Sequence, residues 1–126
     1  MDNFKLLALR TEAAVSPELL QRNNANVRII HGVLGLASEV GELHDAVKKS
    51  IFYNKDLDIV NIKEELGDLL WYMALIMDVV GASMEECQEL VIAKLRTRYP
   101  EKFTEDKAIN RDLTAERKIL EGANVI

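Results

Sequence analysis

The chain has 126 residues and a net charge of −5, with 48% apolar and 29% charged residues. That length fits one domain, 1–126, large enough to bury a core. The acidic balance gives no electrostatic footprint for nucleic acid, and the lone Cys87 excludes an internal disulfide and a thiolate zinc cluster. Two Pro and six Gly leave little punctuation for a many-turned β fold. The N-terminal "MDNFKLLALR" carries an acid at position 2 and no long apolar run, unlike a signal peptide. No stretch has the ~18 uncharged apolar residues of a membrane span, so a reducing cytoplasm is the expected location.

In chain order, residues 3–14 read as a short helix with Phe4, Leu7 and Ala8 inward. "SPELL" supplies an N-cap at Ser16 and a first-turn Pro17. "QRNNAN" is polar and poor in helix formers, so a break is expected. From about Asn26 to 51, Ile29, Val33, Leu36, Val40, Leu43, Val47 and Ile51 recur at spacings of three and four, which predicts a long helix. "FYNKDLD" is a connection. A second helix starts near Asp58 or Asn61, where "NIKE" is a capping box, and carries the stripe Ile62, Leu66, Leu69, Met73, Ile76 and Val80 to a stop at Gly81. "SMEE" opens a third helix ending before Pro100, and "DLTAERKILE" predicts a last short one. The expected fold is all-α: a helical hairpin plus a third helix, with its core at about 26–111.

One pattern occurs twice. "EVGEL" (39–43) and "ELGDL" (65–69) both read acid, aliphatic, Gly, acid, Leu. On helices, Glu39 and Glu42 lie one turn apart, about 60° around the axis, as do Glu65 and Asp68. Each acid precedes a stripe residue by one, which places it about 100° from the centre of the apolar face. In a hairpin centred between residues 53 and 54, Glu39 comes level with Asp68 and Glu42 with Glu65. Four converging carboxylates repel unless a cation joins them. An all-oxygen donor set suits a hard ion such as Mg²⁺ or Mn²⁺. Mid-helix Gly costs about 1 kcal/mol relative to Ala, so Gly41 and Gly67 suggest that another helix or a ligand comes close there. A solvated pair of flanks is the plain alternative for a single such motif; duplication in matched register argues against it.

At these residues the chain resembles MazG-like nucleotide pyrophosphohydrolases of the all-α NTP pyrophosphatase superfamily. The family's mark is E-E-x-x-E followed by E-x-x-D on two helices; here the segments are "SEVGE" (38–42) and "ELGD" (65–68). "HGVLGLASEVGELHDAVKK", "EELGDLLWY" and "AKLRTRYPEKF" are similar to small members as well, so the likeness covers about 28–111. It implies Mg²⁺-dependent hydrolysis of nucleoside or deoxynucleoside triphosphates to the monophosphate and pyrophosphate, removing unwanted or surplus nucleotide. It also implies a homodimer or homotetramer in which helices of two subunits complete a four-helix-type bundle. By resemblance Glu39, Glu42, Glu65 and Asp68 bind the metal. The first acid of E-E-x-x-E is Ser38 here, so the general-base role falls to Glu39 or to a hydroxide on the metal.

Further residues bear on the substrate. Lys94 and Arg98, spaced by four, and Tyr99 are triphosphate candidates beside the plainer reading of a solvated basic face. Lys49 shares the face of Glu42, and Arg111 in "INRD" resembles a basic position of relatives. His31 lies about 20° off the face of Glu42 but some 16 Å along the axis; that is too far for a metal ligand, and it is expected to contact base or sugar or to be structural. Trp71, three residues after Asp68, is expected to stack on a base or to serve a core or interface. Glu64 turns away from the acids, His44 reads as surface and Cys87 as a small core residue.

Two rivals remain. A non-catalytic helical regulatory or binding module would leave the acids solvated and its stability blind to Mg²⁺. A carboxylate-bridged di-iron bundle calls for Glu-x-x-His pairs, and Glu42 is followed instead by His44 at a spacing of two.

Overall fold

The computed structural model describes residues 3–22 and 26–122. Among the described residues seven helices run in chain order: α1 (Asn3–Leu9), α2 (Pro17–Arg22), α3 (Asn26–Phe52), α4 (Ile59–Val80), α5 (Met84–Arg98), α6 (Glu105–Ile109) and α7 (Leu113–Glu121). No strand occurs among the described residues, as an all-α fold requires. The expected break in "QRNNAN" falls partly on residues 23–25, outside the described residues.

The caps follow from the local sequence. Asp58, rather than Asn61, is the N-cap of α4, its carboxylate accepting from the Asn61 N–H at 3.1 Å. Gly81, at φ 73°, closes the helix in the left-handed region that a residue without Cβ adopts freely. Ser83 caps α5 by accepting from the Glu86 N–H. Between α3 and α4 the chain reverses through Asn54, at φ 51°, one of the few residue types that tolerate that region. The Ser50 hydroxyl ties this turn by donating to the Lys55 carbonyl at 2.9 Å.

Two packings dominate: α3 along α4, and α5 along α7. The first hairpin has the expected register but a rotated seam. Buried Gly32 and Gly35 bring the backbone of α3 against α4. A Cβ at Gly32 would lie 2.5 Å from Cγ1 of Ile76, and one at Gly35 would overlap the ring of Tyr72. Helices approach closest where no Cβ intervenes, so the seam centres one residue before the expected stripe. Leu36, Leu43, Ile62 and Ile76 remain half-buried and Leu69 is buried. Val33, Val40 and Val47 on α3, with Leu66, Met73 and Val80 on α4, are exposed instead. Both sets recur at seven-residue intervals, the spacing of a second helix–helix seam. Phe4 and Leu7, expected inward, are exposed as well, because α1 takes no part in either main packing.

This leaves much apolar surface uncovered. The chain exposes 10389 Å², whereas a compact monomer of its 14.2 kDa exposes roughly 6,800 Å². The axes of α4 and α5 meet at 92°, so α5 leaves the hairpin and carries α7 with it. No single helix among the described residues is long and apolar enough to cross a membrane.

Candidate metal centre and substrate cleft

The seam runs through the acids. Glu65 lies 8% exposed between the helices, not on a flank as its offset from the stripe suggests; the glycine-led rotation carries it inward. Glu39 is half-buried on the facing helix and Asp68 is exposed one turn along α4. Carboxylate oxygens of these three lie within 4.8 Å of one another. Glu42, the fourth acid of the motif, is exposed and stands outside that group, close enough for its charge to act on Glu65.

Such crowding has a cost. The Glu65 carboxyl is pushed up to about 7, first by the hydrogen bond it shares with Glu39, then by burial, and then by the charges of Glu39, Glu42 and Asp68. In the metal-free protein one proton thus holds two carboxyls together, doing part of what a cation would do. Three oxygen donors at this spacing, one of them buried, fit a hard divalent cation. Ser38 supplies no acid here; its hydroxyl donates to the Leu34 carbonyl at 3.1 Å.

Two clefts flank the acids. One, about 320 Å³, is lined by Glu39, Asp68, Trp71 and Tyr72. Trp71 is 59% exposed there, with its ring edge-on to Tyr72 at 5.0 Å and to His31 at 6.3 Å. His31 and Trp71, 40 positions apart, are thus brought together beside the acids. Tyr72 completes the group and was not singled out from the sequence. Its signal was its place four residues after Asp68, on the same helix face. The second cleft, about 420 Å³, lies at the hairpin turn and includes Glu42, Asp45, Lys49, Lys55 and Asp58. Lys49 is bound to Asp45 at 2.7 Å there.

The other basic candidates are not brought to the acids of their own chain. From Asp68 up α4 and then along α5 at 92°, a helical rise of about 1.5 Å per residue sets Arg98 roughly 25–30 Å away, and Lys94 little closer. Arg98 and Arg111 meet elsewhere. Glu116 on α7, at 3% exposure the most buried of the chain's charged side chains among the described residues, accepts from Arg98 Nε at 2.5 Å and from Arg111 Nη2 at 2.8 Å. The two guanidinium groups, Arg98 first, hold the Glu116 carboxyl below the usual range. This triad, buried at Glu116 and open to solvent at Arg111, docks α7 on α5. The Tyr99 ring lies 5.5 Å from that of Phe103, tilted by 46°, with the Arg98 guanidinium 5.6 Å from its centre.

The family model of the MazG nucleotide pyrophosphohydrolase domain matches residues 31–103, more than half of the chain. The match takes in both acidic segments, the aromatic cluster and α5; α7 with its Glu116 lies beyond it. No curated protein and no solved structure matches the chain significantly.

Proposed function

The chain belongs to the MazG nucleotide pyrophosphohydrolase domain family, and on that premise we propose that it hydrolyses nucleoside or deoxynucleoside triphosphates to the monophosphate and pyrophosphate with Mg²⁺. The observation that carries this reading is the convergence of Glu39, Glu65 and Asp68 oxygens within 4.8 Å beside an exposed indole.

Glu39, Glu65 and Asp68 would hold the metal, with Glu42 at the edge of the group. Mg²⁺ bound there supplies neutralisation of phosphate charge and acidifies a water. The protein's own part is positioning, since phosphoanhydride hydrolysis needs an oriented water and balanced charge more than a covalent nucleophile. Glu39, or a hydroxide on the metal, takes the general-base role, because position 38 carries a serine in place of an acid. The Glu39 carboxylate lines the cleft and lies within 4.8 Å of the Glu65 and Asp68 oxygens, where it would accept the proton of the attacking water. Attack at the α-phosphorus releases pyrophosphate, and Trp71, Tyr72 and His31 receive the nucleoside.

The chain acts in this reading as a homodimer or as a tetramer built of such dimers. A second copy covers the exposed seam of Val33, Val40, Leu66 and Met73 and draws on the roughly 3,600 Å² by which the surface exceeds that of a compact monomer. The distance from Asp68 to α5 has a consequence: Lys94 and Tyr99 reach a triphosphate only from the other copy, whereas the Arg98 guanidinium is held by Glu116.

Incubating the protein with a panel of ribo- and deoxyribonucleoside triphosphates and Mg²⁺, with products resolved by chromatography, tests the reaction. Monophosphate plus pyrophosphate is expected; diphosphate plus phosphate, or no turnover across the panel, refutes it.

A further inference from the structure

Tyr72 occupies an unusual seat. Its ring lies against the backbone of α3 where residue 35 has no side chain, and a Cβ there would overlap Cδ1, Cε1 and Cζ of the ring. The same ring lines the cleft that contains Glu39, Asp68 and Trp71. It stands edge-on to Trp71 at 5.0 Å and 84°, and to His31 at 5.8 Å and 74°. One aromatic ring is thus shared between the helix seam and the wall of the cleft. Its depth in the seam sets how far the wall stands from whatever enters.

We propose that Gly35 is a positioning residue for the nucleoside end of the substrate, acting through Tyr72, and that it thereby sets which base sizes the cleft admits. The inference rests on the nucleotide reading above and deepens it.

The physics is steric. Carbon atoms in contact sit about 3.5–4.0 Å apart, so any side chain at 35 displaces the Tyr72 ring by roughly 1 Å or more. The α3 backbone has little room to yield, because Gly32 already places Ile76 against it one turn earlier. The ring turns or moves out of the seam instead, carrying the His31–Trp71–Tyr72 arrangement with it. Offset-stacked and edge-to-face partners need defined spacing, so a base that fits beside the seated ring no longer fits beside the displaced one. A purine, the larger ring system, loses more than a pyrimidine. The phosphate end would be held through the cation that Glu39, Glu65 and Asp68 bind, and the substitution leaves those carboxylates in place.

The chain has one tryptophan, Trp71, so its fluorescence reports occupancy of this cleft without turnover. The experiment titrates wild type, Gly35→Ala, Tyr72→Leu and the double variant with non-hydrolysable purine and pyrimidine triphosphate analogues in Mg²⁺. Inorganic tripolyphosphate serves as a base-free competitor. The expected result for Gly35→Ala is at least a tenfold loss of purine affinity, a smaller loss for pyrimidine, and tripolyphosphate affinity within about twofold of wild type. With the ring gone, in the Tyr72→Leu background, Gly35→Ala should have no further effect.

Equal nucleotide affinity in Gly35→Ala and wild type overturns the proposal. So does a parallel loss of tripolyphosphate affinity, which would place the effect at the phosphate end. Should Gly35→Ala fail to fold, Tyr72→Leu decides: an unchanged purine-to-pyrimidine ratio refutes the role of the ring. Wild type that binds nucleotides through Trp71 without hydrolysing them would sink the proposed reaction while leaving this inference standing. Wild type whose Trp71 responds to no nucleotide would sink the inference.

Discussion

Leu66 tests the second seam most cleanly. It lies on α4 facing away from α3, 48% exposed, and has no part in the acid cluster. Fully burying a Leu side chain stabilises by about 2 kcal/mol, so covering the exposed half contributes about 1 kcal/mol per copy. In a two-fold dimer the position occurs twice, and Leu66→Ala should weaken association by about 2 kcal/mol. At 1.4 kcal/mol per tenfold, Kd rises about 30-fold. Sedimentation velocity across a micromolar dilution series reads this directly, and the melting temperature should fall on dilution for the variant at concentrations where wild type holds. Sedimentation of wild type as a monomer with a concentration-independent, cooperative melt would refute the reasoning. It would mean that this chain tolerates its exposed apolar seam alone.

Three further outcomes follow from the same geometry. In the metal-free protein Glu65 has a carboxyl raised to about 7 against an ordinary value of 4.5. A raised folded-state value stabilises fully below 4.5 and is lost as pH rises through about 7; melts should therefore show falling stability between pH 5 and 8, and millimolar Mg²⁺ should flatten that slope. If Lys94 serves the other copy's acids, Lys94→Ala and Asp68→Asn are each nearly inactive, but an equal, exchanged mixture recovers about a quarter of wild-type turnover. Half of its dimers are mixed, and each of these has one intact site of two; no recovery on mixing assigns Lys94 to some other role. A Cβ on Gly41 or Gly67 would meet nothing within 4 Å, so Ala at either should gain up to about 1 kcal/mol of helix stability, read by thermal melts. A loss of stability would place another part of the assembly on those glycines.

The sequence made the hairpin legible because its signals are local. Heptad-like spacing, the Asp58 and Ser83 caps and the Gly81 stop all act within a turn or two of the residue that carries them. The level placement of Glu39 with Asp68 followed from the loop length alone. Which face forms the seam was not legible. The apolar stripe marks what must be buried but not by which neighbour, and Val33, Val40 and Leu66 face away from the hairpin partner. The deciding residues were Gly32 and Gly35, whose meaning appears only when Ile76 and Tyr72 are set against them. Gly41 and Gly67, the glycines that the duplicated motif points to, have open space instead. Arg98 and Arg111 show the same limit. Their partner Glu116 is 18 and 5 residues away in a segment with faded periodicity, where charge alone reads as a solvated face.

The most direct measurement is pyrophosphate release from a nucleoside triphosphate by wild type and Asp68→Asn, each with and without Mg²⁺. Asp68 is the exposed member of the cluster, so its replacement by an isostere spares the fold while removing a donor. The account predicts release by wild type only with Mg²⁺, and a fall of orders of magnitude in Asp68→Asn. Equal release by both proteins, or release by wild type without any divalent cation, would contradict it.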